Sequence, residues 1–206
     1  MIRGSLAWLT SRGERRRRRK RRRWEAAGRP ETQPSSVKHE IIREYARRFG
    51  LGSFVETGTY HGGTVEAVKR DLRRIYTIEL DPQLAARARQ RFARDGHVTV
   101  LQGDSARVLS TVLARLTEPA LFWLDGHYSG PGTARGSRDT PILEELDAIL
   151  AHPVRGHVVL IDDARAFGAL RDYPTLAELM AFVRAGANGL TCEVRDDVIR
   201  VHPGPA

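Results

Sequence analysis

The chain has 206 residues and 41% hydrophobic content, enough for one folded domain with a sizeable core. No apolar run approaches the ~18 residues that a membrane-spanning helix needs, and the single cysteine, Cys192, excludes an internal disulfide or a cysteine-rich zinc site. The net charge of +9 lies entirely in residues 1–34, so residues 35–206 show no overall basic bias for nucleic acid.

Residues 1–34 are predicted to form a disordered, Arg-rich tail ahead of a folded domain over residues 35–206. The unbroken basic run at 15–23 repels itself and buries nothing. One interpretation is an arm that contacts RNA, DNA or anionic lipid through residues 12–23; the other is a solvated extension, or a start codon assigned too early. The first ten residues are too short for a signal peptide, which favours a cytoplasmic protein.

From residue 35 onward, helical and strand patterns alternate along the chain. A helix beginning at Ser35 or Ser36 precedes five near-continuous apolar strands, which further helices separate. These strands end at Glu56, Leu80, Leu101, Leu124 and Ile161, and two short strands around Asp196–Asp197 close the chain. The pattern predicts an α/β fold: a Rossmann-like, doubly wound sheet, mainly parallel, with a C-terminal antiparallel hairpin.

The stretch from Phe54 to Asp81 has the pattern of a nucleotide-binding βαβ unit. A strand ending in Glu56 is followed by a turn containing Gly58 and Gly62, and Glu79 lies 21 residues past Gly58, where an acid can bind a ribose. The NAD pattern G-x-G-x-x-G is absent, and Glu56 would repel a pyrophosphate. S-adenosylmethionine fits better, because its ammonium and sulfonium groups are cations and its ribose suits Glu79.

The loop resembles that of the class I S-adenosylmethionine-dependent methyltransferases, and its run E-T-G-T-Y-H-G-G at 56–63 is closest to macrocin-type O-methyltransferases. The resemblance implies the class I methyltransferase fold and places Asp104 near the adenine amino group, although Asp104 could equally cap a helix. Ser105 is the cap that the sequence favours. The predicted cofactor-binding residues are Glu56, Gly58, Tyr60, Gly62, Glu79, Asp104 and Ser105.

A second group of acids follows the fourth and fifth strands. Asp125 and the pair Asp162–Asp163 should meet at one sheet edge, and such hard oxygen ligands suit Mg²⁺ or Ca²⁺. The macrocin-type family resembles the chain here too, since it holds a divalent metal with a D-G-D-x-Y turn and a D-D pair. In this chain His127 replaces the second Asp of that turn, so His127 could be a ligand or the general base.

These residues predict a metal-assisted O-methyltransferase acting on a small-molecule or sugar hydroxyl, with His127 and Asp125 as catalytic residues and Asp125, Asp162 and Asp163 as metal ligands. The long Gly-containing loop at 126–140 is predicted to act as a lid. Three alternatives stay open: a methyltransferase acting on RNA or protein held by the Arg-rich tail, a non-catalytic Rossmann-like binding protein, and an NAD-dependent oxidoreductase.

Overall fold

The computed structural model of the protein describes residues 12–30, 33–126, 140–170, 172–186 and 189–204. The predicted site residue His127 and most of the loop at 126–140 lie outside these ranges. In the described part, seven helices and seven strands follow one another in this order: α1 Arg12–Ala26, α2 Ser35–Arg48, β1 Ser53–Thr57, α3 Gly63–Val68, β2 Arg74–Glu79, α4 Pro82–Arg91, β3 Val98–Gln102, α5 Ser105–Leu113, β4 Ala120–Leu124, α6 Ile142–Ala151, β5 Val158–Ile161, α7 Leu176–Gly186, β6 Leu190–Arg195 and β7 Val198–Pro203.

The seven strands form one sheet in the order β3-β2-β1-β4-β5-β7-β6. The first five are parallel, while β7 runs antiparallel to both β5 and β6. This arrangement confirms the predicted doubly wound sheet with its closing antiparallel hairpin. Because the chain leaves β1 toward β2 on one side and returns to β4 on the other, the crevice for a ligand lies at the carboxyl ends of β1 and β4.

Helices cover both faces of the sheet and bury apolar side chains against it. One core cluster packs Val55, Phe122 and Ile161 of the sheet against α5, α6 and α7, and the other packs Phe54, Trp123 and Leu160 against α1 to α4. Alternate residues of each strand therefore enter opposite clusters, as the pleat requires.

Part of the predicted tail, Arg12–Ala26, forms the helix α1 in the structure, and α1 packs on α2. Trp24 is buried in the core, and its indole N–H donates to the Pro30 carbonyl at 2.9 Å. Arg21 pairs with Glu40 of α2 at 2.7 Å. Trp24 and this ion pair attach the helix to the domain. Seven side chains of the basic run are exposed: Arg15, Arg16, Arg18, Arg19, Lys20, Arg22 and Arg23.

No helix in the described ranges is long and apolar enough to cross a membrane.

Candidate functional site

The turn between β1 and α3 requires glycine at two of its positions. Gly58 has φ +83°, and a Cβ atom there would lie 2.2 Å from the carbonyl oxygen of Asp125. Gly62 has φ +71°, and a Cβ atom there would lie 2.8 Å from the Phe92 ring. Between them, Tyr60 has a left-handed φ of 49°, and its ring is half exposed next to His61. The predicted glycines thus let the turn pass close to β4 and α4.

Glu79, at the end of β2, is hydrogen-bonded to the backbone of this turn. One carboxylate oxygen accepts a hydrogen bond from the backbone N–H of Tyr60 at 2.7 Å, and the other accepts one from that of Asp81 at 2.9 Å. The side chain is buried. A carboxylate has about four lone-pair sites, so Glu79 keeps acceptor capacity beyond these two bonds. The predicted ribose-binding residue therefore lies directly against the loop that would hold the same ligand.

Glu56 lies inside the sheet edge rather than on its surface. Its neighbour in register on β2 is Thr77, whose hydroxyl donates to the Glu56 carboxylate at 2.6 Å and lies 2.5 Å from the hydroxyl of Thr59. Burial raises the pKa of Glu56 to about 8, and the nearby charge of Asp125 adds to this although the Thr77 hydroxyl opposes it. The site therefore stabilises the neutral carboxyl until a cation comes close.

Asp104, and not Ser105, caps the helix that follows β3. The Asp104 carboxylate accepts from the backbone N–H of Ala106 at 3.1 Å, while Ser105 is the first residue of α5. The sequence placed the cap one residue too late because Asp and Ser are equally good caps. The Ser105 side chain instead is buried beside Glu145 of α6. The predicted roles of both residues toward the cofactor stay predictions.

Glu145 is a buried acid that the sequence reasoning did not single out. Burial raises its pKa to about 7, opposed by the hydroxyls of Ser105 and Thr57. It lines a narrow cleft between α6 and the ends of β4 and β5, together with Gly126, Thr140 and Asp162. A signal was present: the buried positions of α6 recur at helical spacing and include position 145.

At the ends of β4 and β5 the structure brings the predicted acids together as expected. The Asp125 amide donates to Thr57 at the end of β1, and the Asp162 amide donates to Leu124 at the end of β4, both at 3.1 Å. Asp162 is buried, and its Oδ1 accepts from the amide of Asp163 at 2.9 Å. Asp163 has a left-handed φ of 54°. The three acids thus lie on adjacent strand ends, as the parallel pairing of β4 and β5 demands.

Lys38 of α2 reaches into this acid cluster, which the sequence did not indicate. Its ammonium group forms a hydrogen-bonded ion pair with Oδ2 of Asp162 and lies 3.6 Å from Oδ1 of Asp163. Burial alone would lower the pKa of Lys38, but the charges of Asp162, Asp125 and Asp163 raise it above its usual range. Lys38 therefore stays protonated near neutral pH and balances part of the negative charge there.

In the structure the oxygens of Asp162 already have partners from the protein itself. Within the described ranges, no three His, Cys, Asp or Glu side chains lie close enough together to hold an ion. One oxygen of Asp162 is bonded to Lys38 and the other accepts from a backbone amide. The metal ligand set Asp125, Asp162 and Asp163 accordingly stays a prediction, as does the choice between base and ligand for His127.

Comparison with known proteins identifies the family. A family model described as a methyltransferase domain matches residues 55–164, which run from β1 through the start of the segment after β5. The chain belongs to this methyltransferase family. The prediction of an S-adenosylmethionine-dependent methyltransferase is thereby confirmed, and the oxidoreductase and non-catalytic alternatives are set aside. The macrocin-type specificity stays a prediction.

Solved structures share the fold of this methyltransferase. An O-methyltransferase from Bacillus cereus in complex with SAH is 16% identical, covers 96% of this chain and 93% of its own length, and has a TM-score of 0.60. TomG, an O-methyltransferase from Streptomyces achromogenes involved in tomaymycin synthesis and solved with SAM, is 21% identical over 97% of this chain and 93% of its own, with a TM-score of 0.58.

A curated relative matches a segment of this chain. Ribosomal RNA small subunit methyltransferase A from Acidobacterium capsulatum is 40% identical over 80 residues, which are 39% of this chain. The match spans 28% of the length of that relative. The two proteins thus share a segment.

Proposed function

We propose that this methyltransferase transfers the methyl group of S-adenosylmethionine to a hydroxyl oxygen of a small or glycosidic acceptor. One observation supports the proposal most strongly. Glu56, Glu79 and the Gly58–Gly62 turn lie together at the crevice formed by the ends of β1, β2 and β4. When bound, S-adenosylmethionine supplies an electrophilic methyl group on a sulfonium centre. Binding the cofactor, orienting the acceptor and removing the hydroxyl proton are tasks for the residues of the chain.

The buried carboxyl of Glu56 fits a cationic ligand. In the described contacts its partners are hydroxyl groups, and burial holds its pKa near 8. A ligand cation in the crevice would favour the ionised carboxylate and so gain a strong, poorly screened attraction. Glu79 would accept from the ribose hydroxyls with its remaining lone pairs while it keeps the loop in place.

The acceptor would lie beyond the ends of β4 and β5, where Asp125, Asp162 and Lys38 converge. Oxygen as the methyl acceptor is supported by the O-methyltransferases among the proteins that share the fold. A hydroxyl nucleophile must lose its proton during transfer, and His127 is our proposed base for that step. Metal assistance through Mg²⁺ is the alternative means of activating the hydroxyl, and Lys38 weighs against it.

The test is product analysis by mass spectrometry after incubating the purified protein with S-adenosylmethionine and a panel of phenols, sugars and glycosides. We expect an O-methyl ether from at least one hydroxyl acceptor, and we expect Glu79→Ala to reduce its formation. Parallel reactions with matched amines show which atom accepts the methyl group. Methylation confined to nitrogen would contradict the proposal even if the cofactor binds as expected.

A ribosomal or other RNA acceptor is the second candidate. Exposed basic side chains of α1, including Arg15, Arg16, Arg18 and Arg19, form a cationic surface next to α2, and the curated relative with a shared segment is an rRNA methyltransferase. Replacing these four arginines by Gln should abolish methylation of RNA if RNA is the acceptor. The same variant should leave methylation of a small hydroxyl acceptor unchanged, which separates the two functions.

A further inference from the structure

Lys38 links α2 to the end of β5. It lies in the first turns of α2, and the neighbouring residues Val37, Ile41 and Ile42 are buried in the core. This packing fixes the helix over the sheet face that carries Asp162. The side chain of Lys38 spans from α2 to the end of β5, a separation of 124 residues along the chain. The contact therefore depends on the whole fold and cannot arise from local structure.

The ammonium group lies at the oxygens that a metal ion in this cluster would need. Oδ2 of Asp162 accepts its hydrogen bond, and Oδ1 of Asp163 lies 3.6 Å away. A divalent cation at these oxygens would have to displace Lys38, or else sit within a few ångströms of a fixed positive charge in a partly buried site. The charges of Asp125, Asp162 and Asp163 are also what keep Lys38 protonated.

We propose that the ammonium group of Lys38 is the resident cation of the acid cluster at the ends of β4 and β5, so that this site works without a bound divalent metal. The proposal rests on the proposed function, because it concerns the acceptor side of the same crevice. In it, Lys38 is a positioning residue: it holds the Asp162 carboxylate in one orientation and offsets the charge of the acids. Lys38 thus neutralises the acids in place of a metal ion.

A lysine at position 38, where almost every other basic residue of the chain is an arginine, supports the role of resident cation. The chain has 34 Lys and Arg residues, of which only Lys20, Lys38 and Lys69 are lysines. An ammonium is a compact point charge with three donors, whereas a guanidinium is planar and larger. A compact cation suits the place between two adjacent strand ends and the α2 helix. In contrast, the partly exposed acid pair formed by Asp163 and Asp197 is bridged by an arginine, Arg165.

The experiment measures metal binding directly, by electron paramagnetic resonance of Mn²⁺ titrated into the full-length protein. We expect no saturable binding by the wild type in the millimolar range. Lys38→Met should bind Mn²⁺ at least about tenfold more tightly, because the competing charge is gone. Adding Asp162→Asn to Lys38→Met should remove the gained affinity. Mg²⁺ should compete for the site in Lys38→Met.

Lys69→Met is the matched control. Lys69 is also partly buried and also pairs with two acids, Glu66 and Asp95, at 3.2 and 2.8 Å. Its loss should disturb the protein to a similar degree without changing the affinity for Mn²⁺. A gain of Mn²⁺ binding in both variants would show a non-specific consequence of losing an ion pair and would overturn the proposal.

One saturable Mn²⁺ site in the wild type that Asp162→Asn abolishes would also overturn the proposal. This outcome needs only the wild type and a neutral isostere, so it decides the question even if Lys38→Met does not fold. It would leave the proposed O-methylation standing as a metal-assisted reaction. Conversely, absence of methyl transfer alongside the expected Mn²⁺ behaviour would count against the proposed function alone.

Discussion

The buried carboxyl of Glu56 predicts a specific dependence of stability on pH. Its ordinary pKa of 4.5 rises to about 8 in the folded protein because the side chain is buried. Since the folded state holds this proton more tightly, the free energy of unfolding falls as the pH rises from 4.5 to about 8. Below pH 4.5 the Glu56 carboxyl is protonated in both the folded and the unfolded protein, so it does not lower the free energy of unfolding there.

The size of the effect follows from the pKa values. Each pKa unit corresponds to about 1.4 kcal/mol, so Glu56 alone lowers the free energy of unfolding by at most about 5 kcal/mol across this window. Glu56→Gln removes the titration and keeps an oxygen that can accept from Thr77. We therefore expect the variant to gain stability relative to the wild type as pH rises, with the full gain reached above pH ~8.

Urea unfolding of both proteins without cofactor, from about pH 5 to about pH 9, measures this difference. Glu145→Gln is the matched control, because burial raises the pKa of Glu145 only to about 7. Its gain should be smaller, about 3 kcal/mol, and should be complete about one pH unit earlier. Parallel curves for wild type and Glu56→Gln would refute the idea that Glu56 is a buried, uncompensated carboxyl.

Three further predictions concern the ligand, the tail and the acceptor side. The affinity for S-adenosylmethionine should rise as pH approaches 8 in the wild type, because a cationic ligand favours ionised Glu56, and calorimetry should show no such rise for Glu56→Gln. Trp24→Ala should lower the free energy of unfolding by about 3–5 kcal/mol, as expected for a buried indole; an unchanged urea midpoint would show that α1 does not pack on α2. His127→Ala should lower the rate of methyl transfer by about 10²–10⁴-fold if His127 is the base. Rescue of that variant by added Mg²⁺ would instead assign His127 to a metal.

The βαβ core was predictable because its signals are local. The apolar strands, the obligatory glycines at 58 and 62, and an acid 21 residues past Gly58 all lie within one short stretch of sequence. Parallel strands place their carboxyl ends at one edge, so Asp125 and Asp162 could be brought together without knowing any side-chain contact. The strand order then confirmed that placement.

The helix α1 was not predictable from its charge. Nine consecutive basic residues indicate repulsion, and nothing local shows that Trp24 finds a place in the core. Its ion-pair partner Glu40 lies on α2, and Arg29, just after the helix, pairs with Asp196 in the closing hairpin turn. Burial of one aromatic side chain, together with ion pairing, can outweigh an unfavourable composition.

The cation in the acid cluster escaped sequence reasoning for a similar cause. Lys38 lies three, four and seven residues before the buried Ile41, Ile42 and Tyr45, so the helical pattern places it on the buried side of α2 but does not indicate its partner. Only the folded structure shows that α2 lies over the end of β5 and brings the ammonium to Asp162. Carboxylates at strand ends indicate that a cation is needed, but they do not indicate whether that cation is a metal or a side chain.

Calorimetric titration of wild type and Glu79→Ala tests whether the Gly58–Gly62 turn and Glu79 hold S-adenosylmethionine. We expect S-adenosylmethionine to bind the wild type, NAD not to bind it, and Glu79→Ala to weaken binding of S-adenosylmethionine by about 1–3 kcal/mol. Because Glu79 also accepts a hydrogen bond from the Tyr60 amide, a cofactor analogue without ribose hydroxyls serves as the control. That analogue should bind both proteins alike. Equal affinity of S-adenosylmethionine for wild type and Glu79→Ala, or binding of NAD in its place, would show that this turn and Glu79 do not form the cofactor site.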